Sequence, residues 1–328
     1  MIPLAAASVL AIAFPTSARW PTHARMPAHH PGRAPSQHRA FPGLTKLHRL
    51  AAGPSVGIGV APQFPIRRSL PQFVALIGRR PAVVGLYQQW SEPFLYPSQL
   101  RAISRLGALP MIAWDSSQHG VPIPLSRITG GGEDAYLRRA ARSAAIWNRV
   151  ILVRLDPEMN LASSPGHDGT PAAFVAAWRH VVQVFDRAGA DNVRWVWTPN
   201  VDCSGLCPFS SYFPGARWVD WVGLDGYNYG TDPGHTWLSF QQVFARSYRT
   251  LTALSAKPMM IAETASSTSG GDKATWIQGM GAALQTDFRR VRLLVWFERR
   301  KEEDWLIESS LTSLLAFRTL LLSSLFAR

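Results

Sequence analysis

Eight short apolar runs recur along this chain from residue 56 onward, and most of the stretches between them have helical length and spacing. No other feature so narrows what the chain can fold into. The runs are VGIGVA (56 to 61), AVVGLYQQW (82 to 90), LPMIAWD (109 to 115), VILVRLDPE (150 to 158), NVRWVWTPN (192 to 200), DWVGLDGYN (220 to 228), KPMMIAE (257 to 263) and VRLLVWFE (291 to 298). A continuous apolar run of this length suits a strand buried on both faces. Between them lie YPSQLRAISRLG, DAYLRRAARSAAIWN, PAAFVAAWRHVVQVFDRAG, TWLSFQQVFARSYRTLTALS and DKATWIQGMGAALQTDF, whose apolar positions recur at three and four residues. In the third of these, Phe174, Val175, Trp178, Val181, Val182 and Phe185 form one stripe, with Pro171 suited to a first turn and Gly189 to a stop. Strand alternating with helix implies parallel pairing, and eight such units predict an α/β fold of the (β/α)8 TIM barrel type. The alternative is a doubly wound open sheet, but no Gly-rich phosphate loop follows the first run.

The chain has 328 residues, 47% hydrophobic and 17% charged, enough for a large core. A single catalytic domain over residues 54–320 is expected. The opening MIPLAAASVLAIAFPTSA has an apolar stretch that ends in small residues, so residues 1–18 read as a signal peptide and the protein as secreted or cell-surface. No positive charge precedes that stretch, and an ordinary disordered tail is the other reading. Residues 19–53, rich in Pro, Arg and His, read as a disordered linker without core contacts. The apolar C-terminal segment is interrupted by Arg318 and reads as a last barrel helix rather than a membrane anchor.

A formal net charge of +13 raises the question of nucleic acid. Yet Arg19, Arg25, Arg33, Arg39, Lys46 and Arg49 fall in the first fifty residues with no acidic residue among them, so much of the excess sits in one terminal segment. Arg138, Arg139 and Arg142 suit a solvated helix face. No nucleic-acid partner and no stable membrane insertion are expected, and an acidic cell-wall polymer suits a basic protein. Cys203 and Cys207 form a close pair in the loop after the fifth run, either a local disulfide or two free thiols, and offer too few ligands for zinc. No metal and no cofactor is expected, and the protein is expected to be a monomer.

Glu158 and Glu263 each end an apolar run, where a charged residue sits at the rim of a parallel sheet and meets ligands. Two carboxylates facing one cleft suit cleavage of a glycosidic bond: one protonates the leaving oxygen, and the other, roughly 5 Å away, attacks the anomeric carbon. Tyr227, at the tip of the sixth run, is placed to hydrogen-bond the nucleophile. Trp114, Trp197, Trp296 and Tyr87 lie near run ends, where aromatic faces can stack on pyranose rings. Asp115 follows Trp114, and Asn160 stands where it could bind a sugar hydroxyl or brace the acid/base. Packing is the competing role for each aromatic, and a surface salt bridge for each carboxylate.

The segments RLDPEMN (154 to 160), AWRHVVQVFDRAGADNVRWVWTPN (177 to 200), FPGARWVDWVGLDGYNYG (213 to 230), KPMMIAETAS (257 to 266) and VWF (295 to 297) occur in order and at a spacing that resembles glycoside hydrolase family 26, the β-mannanases and related β-glycanases of the retaining (β/α)8 clan. The resemblance runs from about residue 56 to 317. It implies that Glu158, after strand four, is the acid/base and Glu263, after strand seven, the nucleophile, and it matches Trp296 to the family's strand-eight aromatic. Two departures stand out: Pro157 occupies the position of the family's usual histidine, and LASSPGHDGT follows Asn160 where glycine and an aromatic are usual. The expectation is a retaining endo-β-glycanase acting on β-mannan or a related β-linked polysaccharide. A noncatalytic carbohydrate-binding barrel and a transglycosylase that remodels an exported polysaccharide are the alternatives.

Overall fold

A computed structural model describes residues 40–167 and 169–326. The eight runs form eight parallel strands: β1 (Gly57–Pro62), β2 (Val83–Gln89), β3 (Leu109–Asp115), β4 (Ile151–Leu155), β5 (Val193–Trp197), β6 (Trp221–Asp225), β7 (Met259–Thr264) and β8 (Val291–Glu298). Each pairs with the next, and β8 closes on β1 with Leu293 opposite Gly57 and Val295 opposite Gly59. This is the (β/α)8 barrel. The strands are buried almost throughout, as expected for parallel strands with side chains in the barrel on one face and a helix layer on the other.

The helix layer follows the sequence closely. Helix Pro171–Arg187 starts at Pro171 behind Thr170, whose hydroxyl accepts from the Ala173 N–H, and it buries Phe174, Trp178, Val181, Val182 and Phe185. Gly189 after it takes a φ of +72°, the left-handed conformation that ends helices. Helix Phe240–Leu254 opens with a reciprocal cap between Ser239 and Gln242. A short antiparallel ribbon, Ser117–Gln118 with Val121–Pro122, decorates the rim after β3.

The amino-terminal boundary differs from the expectation. Residues 44–52, assigned to the linker, form a helix, and Phe41, Leu47 and Leu50 are buried in the barrel's own core. The Val150 N–H donates to the Pro42 carbonyl, and a Cβ on Gly57 would meet a Leu50 methyl at 2.6 Å. The Pro and Arg content concealed a two-turn amphipathic stretch, LTKLHRLAA, that caps the amino-terminal end of the barrel. At the other end, Phe326 is buried and bridges to Val56. The expected signal peptide (1–18) and the linker as far as residue 39 lie outside the described residues. No helix among the described residues is long and apolar enough to cross a membrane.

Candidate active site

Arg154 stands at the centre of the carboxyl-terminal mouth. On β4 it is one charged residue in an apolar run, 1% exposed, and a buried guanidinium must find partners. Its Nη1 donates to Glu263 on β7, its Nη2 to Asp225 at the end of β6, and its Nε to the Thr198 hydroxyl at 2.9 Å. Burial opposes its charge, but the carboxylates of Asp225 and Glu263 outweigh burial and hold it protonated. Asp225 and Glu263 lie opposite each other in the β6–β7 register. One guanidinium faces two carboxylates, which leaves one negative charge in excess. Burial pushes the fully enclosed Asp225 carboxyl up, while Arg154 opposes this and Glu263 adds to it.

Glu263 itself is held on its other oxygen. The Tyr227 hydroxyl donates to Glu263 Oε2 at 2.6 Å, as the sequence suggested. Both oxygens thus accept charge-assisted or phenolic hydrogen bonds, which orient the carboxylate. Tyr87 lies beside it on β2, and burial, then the Glu263 charge, raise the phenol's pKa.

Glu158 follows β4 in a tight segment. Asp156 and Glu158 take φ values of +40° and +59°, in the left-handed region that non-glycine residues seldom occupy, a form of strain that collects at functional sites. Two contacts hold the segment in place. The Glu158 N–H donates to the Thr198 carbonyl at 2.8 Å, and Asp156 accepts from the Ser116 N–H at 2.6 Å and hydroxyl at 2.7 Å. Burial, then the negative charge of Glu263, raise the Glu158 carboxyl to about 7, so at neutral pH it carries a proton for part of the time. Asp115, half-buried at the end of β3, is raised to about 6 by burial, with Arg154 opposing and Glu263 reinforcing. Glu158, Glu263, Asp115 and Tyr227 therefore converge around Arg154.

Asn160 does not face this space. Its Nδ2 donates to the carbonyls of Asn200 and Cys207 at 3.0 and 2.8 Å, and its Oδ1 accepts from the Asn200 N–H at 2.9 Å. With its amide committed, it braces the segment after Glu158 against the loop after β5. That loop is closed by a Cys203–Cys207 disulfide, whose Cα atoms are 5.2 Å apart.

The tryptophans assigned to substrate are also corrected. Trp114 packs against Phe94, Tyr136 and Phe185 in the helix layer, and Trp197 against Phe209 and Phe213. Trp296 packs against Trp276 and Phe317 and donates its indole N–H to the Trp305 carbonyl at 2.9 Å. All three are 0% exposed. In each case the next residue points inward: Asp115 toward the carboxylates, Thr198 to Arg154, and Phe297 to Tyr87 and Tyr227. The aromatic wall of the mouth consists of Tyr87, Tyr227, Phe297 and Tyr229, with the Trp305 ring packed against Tyr227 and Tyr229. Sequence reasoning missed Arg154, although a lone arginine inside VILVRL was the available signal. Among the described residues no cluster of His, Cys, Asp and Glu would hold a metal ion.

Residues 165–280 match the family model of glycosyl hydrolase family 26. Endoglucanase H of Acetivibrio thermocellus is 35% identical over 279 residues, which cover 81% of this chain and 30% of that protein. The mannan endo-1,4-beta-mannosidase A and B of Caldalkalibacillus mannanilyticus is 30% identical over 128 residues, 39% of this chain and 22% of that protein. The chain thus spans less than a third of the length of these curated relatives. Among solved structures, the family 26 domain of a Prevotella bryantii endo-beta-mannanase/endo-beta-glucanase superposes with a TM-score of 0.65 at 15% identity, covering 90% of this chain and 97% of that one. A Cellulomonas fimi endo-beta-1,4-mannanase does so with a TM-score of 0.66 at 16% identity, covering 86% and 74%. The segments matched in sequence, the closed barrel and the paired carboxylates at its mouth agree, and the chain belongs to glycoside hydrolase family 26.

Proposed function

We propose that this protein is a retaining endo-β-glycanase in which Glu263 is the nucleophile and Glu158 the acid/base. The observation that carries this reading is the unequal treatment of the two carboxyls. Glu263 is fixed on one oxygen by Arg154 and on the other by Tyr227, whereas Glu158 is raised to about 7. Environments that separate two carboxyls in this way assign the roles of base and acid.

In the first step Glu158 gives its proton to the glycosidic oxygen as the C1–O bond breaks, and a Glu263 oxygen forms an ester to C1. In the second, Glu158 takes a proton from water, whose oxygen attacks C1 and releases Glu263. Arg154 and Tyr227 keep the attacking oxygen aligned, a contribution of orientation rather than of chemistry. The half-buried rings of Tyr87 and Tyr229 offer faces for sugar stacking.

The substrate class is a β-linked polysaccharide. The longer match, over 81% of the chain, is to an endoglucanase, and the shorter one is to a mannosidase, which favours glucan alongside mannan. The disulfide and the apolar opening support a secreted or cell-surface location. Reducing-sugar release by purified protein from mannan, glucomannan, mixed-linkage glucan and xylan is the test. Endo cleavage of at least one β-glucan or β-mannan is expected. Binding to these polymers without cleavage would favour the noncatalytic barrel, and longer products than substrates would favour transglycosylation.

A further inference from the structure

We propose that the amino-terminal face of the barrel carries a second binding site, for an oligoanion: a chain bearing carboxylate or phosphate groups. This goes beyond the glycanase reading and does not depend on it. A cavity of about 960 Å³ opens there, floored by Leu50, Ile58 and Ile77 and bounded by Gly57 and Ala82 at the starts of β1 and β2. It lies at the opposite end of the strands from Glu158 and Glu263, so both sites can be occupied at once. Its volume is that of a ligand pocket rather than of a packing defect.

Among the described lining residues the charge is of one sign. Lys46, Arg49, Arg79, Arg80 and Arg318 line the cavity, and no acidic residue among the described ones does. They come from three separate segments, the helix Leu44–Ala52, the end of the helix Ile66–Ile77 with the turn after it, and the last helix Leu311–Leu322, so the grouping is a product of the fold. Two of the cations are held in place by backbone. Lys46 Nζ donates to the Gly107 carbonyl at 2.6 Å, and Arg79 Nη1 to the Leu321 carbonyl at 2.8 Å. The carbonyl partner of Lys46 orients its ammonium without neutralising it. Arg49, Arg80 and Arg318 stand exposed at the rim.

A concave wall of like charges concentrates counter-ions and raises the local potential. Several cations spread over one cavity suit a ligand with repeated negative groups better than a single ion. The chain's own amino-terminal segment is not a complementary occupant, since residues 1–39 contain Arg19, Arg25, Arg33 and Arg39 and no acidic residue. Guanidinium groups match both carboxylate and phosphate geometry, so the two sources must be separated by experiment.

The test uses the full chain and two soluble probes, an oligogalacturonate for carboxylate and a short inorganic polyphosphate for phosphate, with binding followed by calorimetry at low salt and at about 0.5 M salt, where exposed charges are strongly screened. The variant Arg49→Glu/Arg80→Glu/Arg318→Glu reverses the rim. A control, Arg139→Glu/Arg142→Glu/Arg187→Glu, makes the same change in net charge on exposed helix faces across the barrel. The expected result is saturable, salt-sensitive binding of at least one probe, weakened about tenfold or more in the rim variant and little changed in the control. The probe that binds more tightly names the source. Equal weakening in both variants would show a net-charge effect and overturn the site, as would no binding of either probe. Binding only to anionic lipid vesicles would also overturn it in favour of a membrane surface. Glycanase activity should be unchanged in both variants, so a failure here is distinguishable from a failure of the catalytic reading.

Discussion

The Tyr227 hydroxyl lies 2.6 Å from Glu263 Oε2, donating to the oxygen that Arg154 leaves free. Two side chains, one on β4 and one just after β6, thereby hold one carboxylate from both sides. Removing only the hydroxyl leaves the ring packing with Phe297 and Trp305 intact. Tyr227→Phe should therefore fold normally and lose kcat/KM by about tenfold to hundredfold, the equivalent of the roughly 1.5–3 kcal/mol of a hydrogen bond to a charged group. Steady-state kinetics on an activated aryl glycoside measures it, and an unchanged kcat/KM would separate Tyr227 from the nucleophile's alignment.

Arg154 is buried between Asp225 and Glu263, and its removal leaves both carboxyls without a counter-charge. Arg154→Met should lower stability by about 3–5 kcal/mol, the cost of breaking a buried pair from one side, and should abolish turnover. Adding Asp225→Asn should restore part of the stability without restoring activity. Chemical denaturation of the two variants checks this.

The pH dependence has a definite sign. Glu158 acts as an acid in its protonated form and titrates at about 7, so kcat/KM should fall as pH rises through that value. In Glu158→Gln this alkaline limb should vanish on substrates whose leaving group needs no protonation. Retention of the limb in that variant would assign it to another group.

Asp156 gives a matching statement about stability. Burial raises its carboxyl to about 7 in the fold from an ordinary 3.8, with the Ser116 hydrogen bonds opposing. A raised folded pKa means that its favourable contribution is complete below about pH 4 and is lost as pH rises through about 7. An asparagine mimics the protonated acid toward Ser116. Asp156→Asn should thus match the parent protein near pH 4 and exceed it at pH 8, by an amount on the order of 2–4 kcal/mol. Urea unfolding at the two pH values reads the difference, and equal stabilities at pH 8 would count against it.

Trp296 and Tyr229 should separate packing from binding. Trp296→Ala opens a cavity between β8 and the helix layer and should cost about 3–5 kcal/mol of stability. Tyr229→Ala, at the half-buried edge of the mouth, should raise KM with a smaller effect on stability.

The eight strands were legible because each run is apolar on both faces, and the same property hid the orientation of their side chains. When both faces of a strand are buried, alternation of polar and apolar residues no longer marks the inside. Trp114, Trp197 and Trp296 each proved one residue out of phase with the cleft, and their neighbours Asp115, Thr198 and Phe297 face it instead. Glu158, Glu263 and Tyr227 were legible because they stand at strand ends, where a polar group has somewhere to go. Arg154 lies one turn of the pleat deeper, and its role depends on Asp225 and Glu263, which are distant in sequence. The helix at 44–52 was masked by the composition of the residues before it.

The central claim is that Glu263 forms a covalent bond to sugar with Glu158 as its partner. An activated 2-deoxy-2-fluoro-β-glycoside slows the second step and should trap the ester. Mass spectrometry of the digested protein is expected to place one glycosyl adduct on the peptide containing Glu263, with none formed by Glu263→Ala. An adduct on a different residue, or full turnover by Glu263→Ala, would contradict the account.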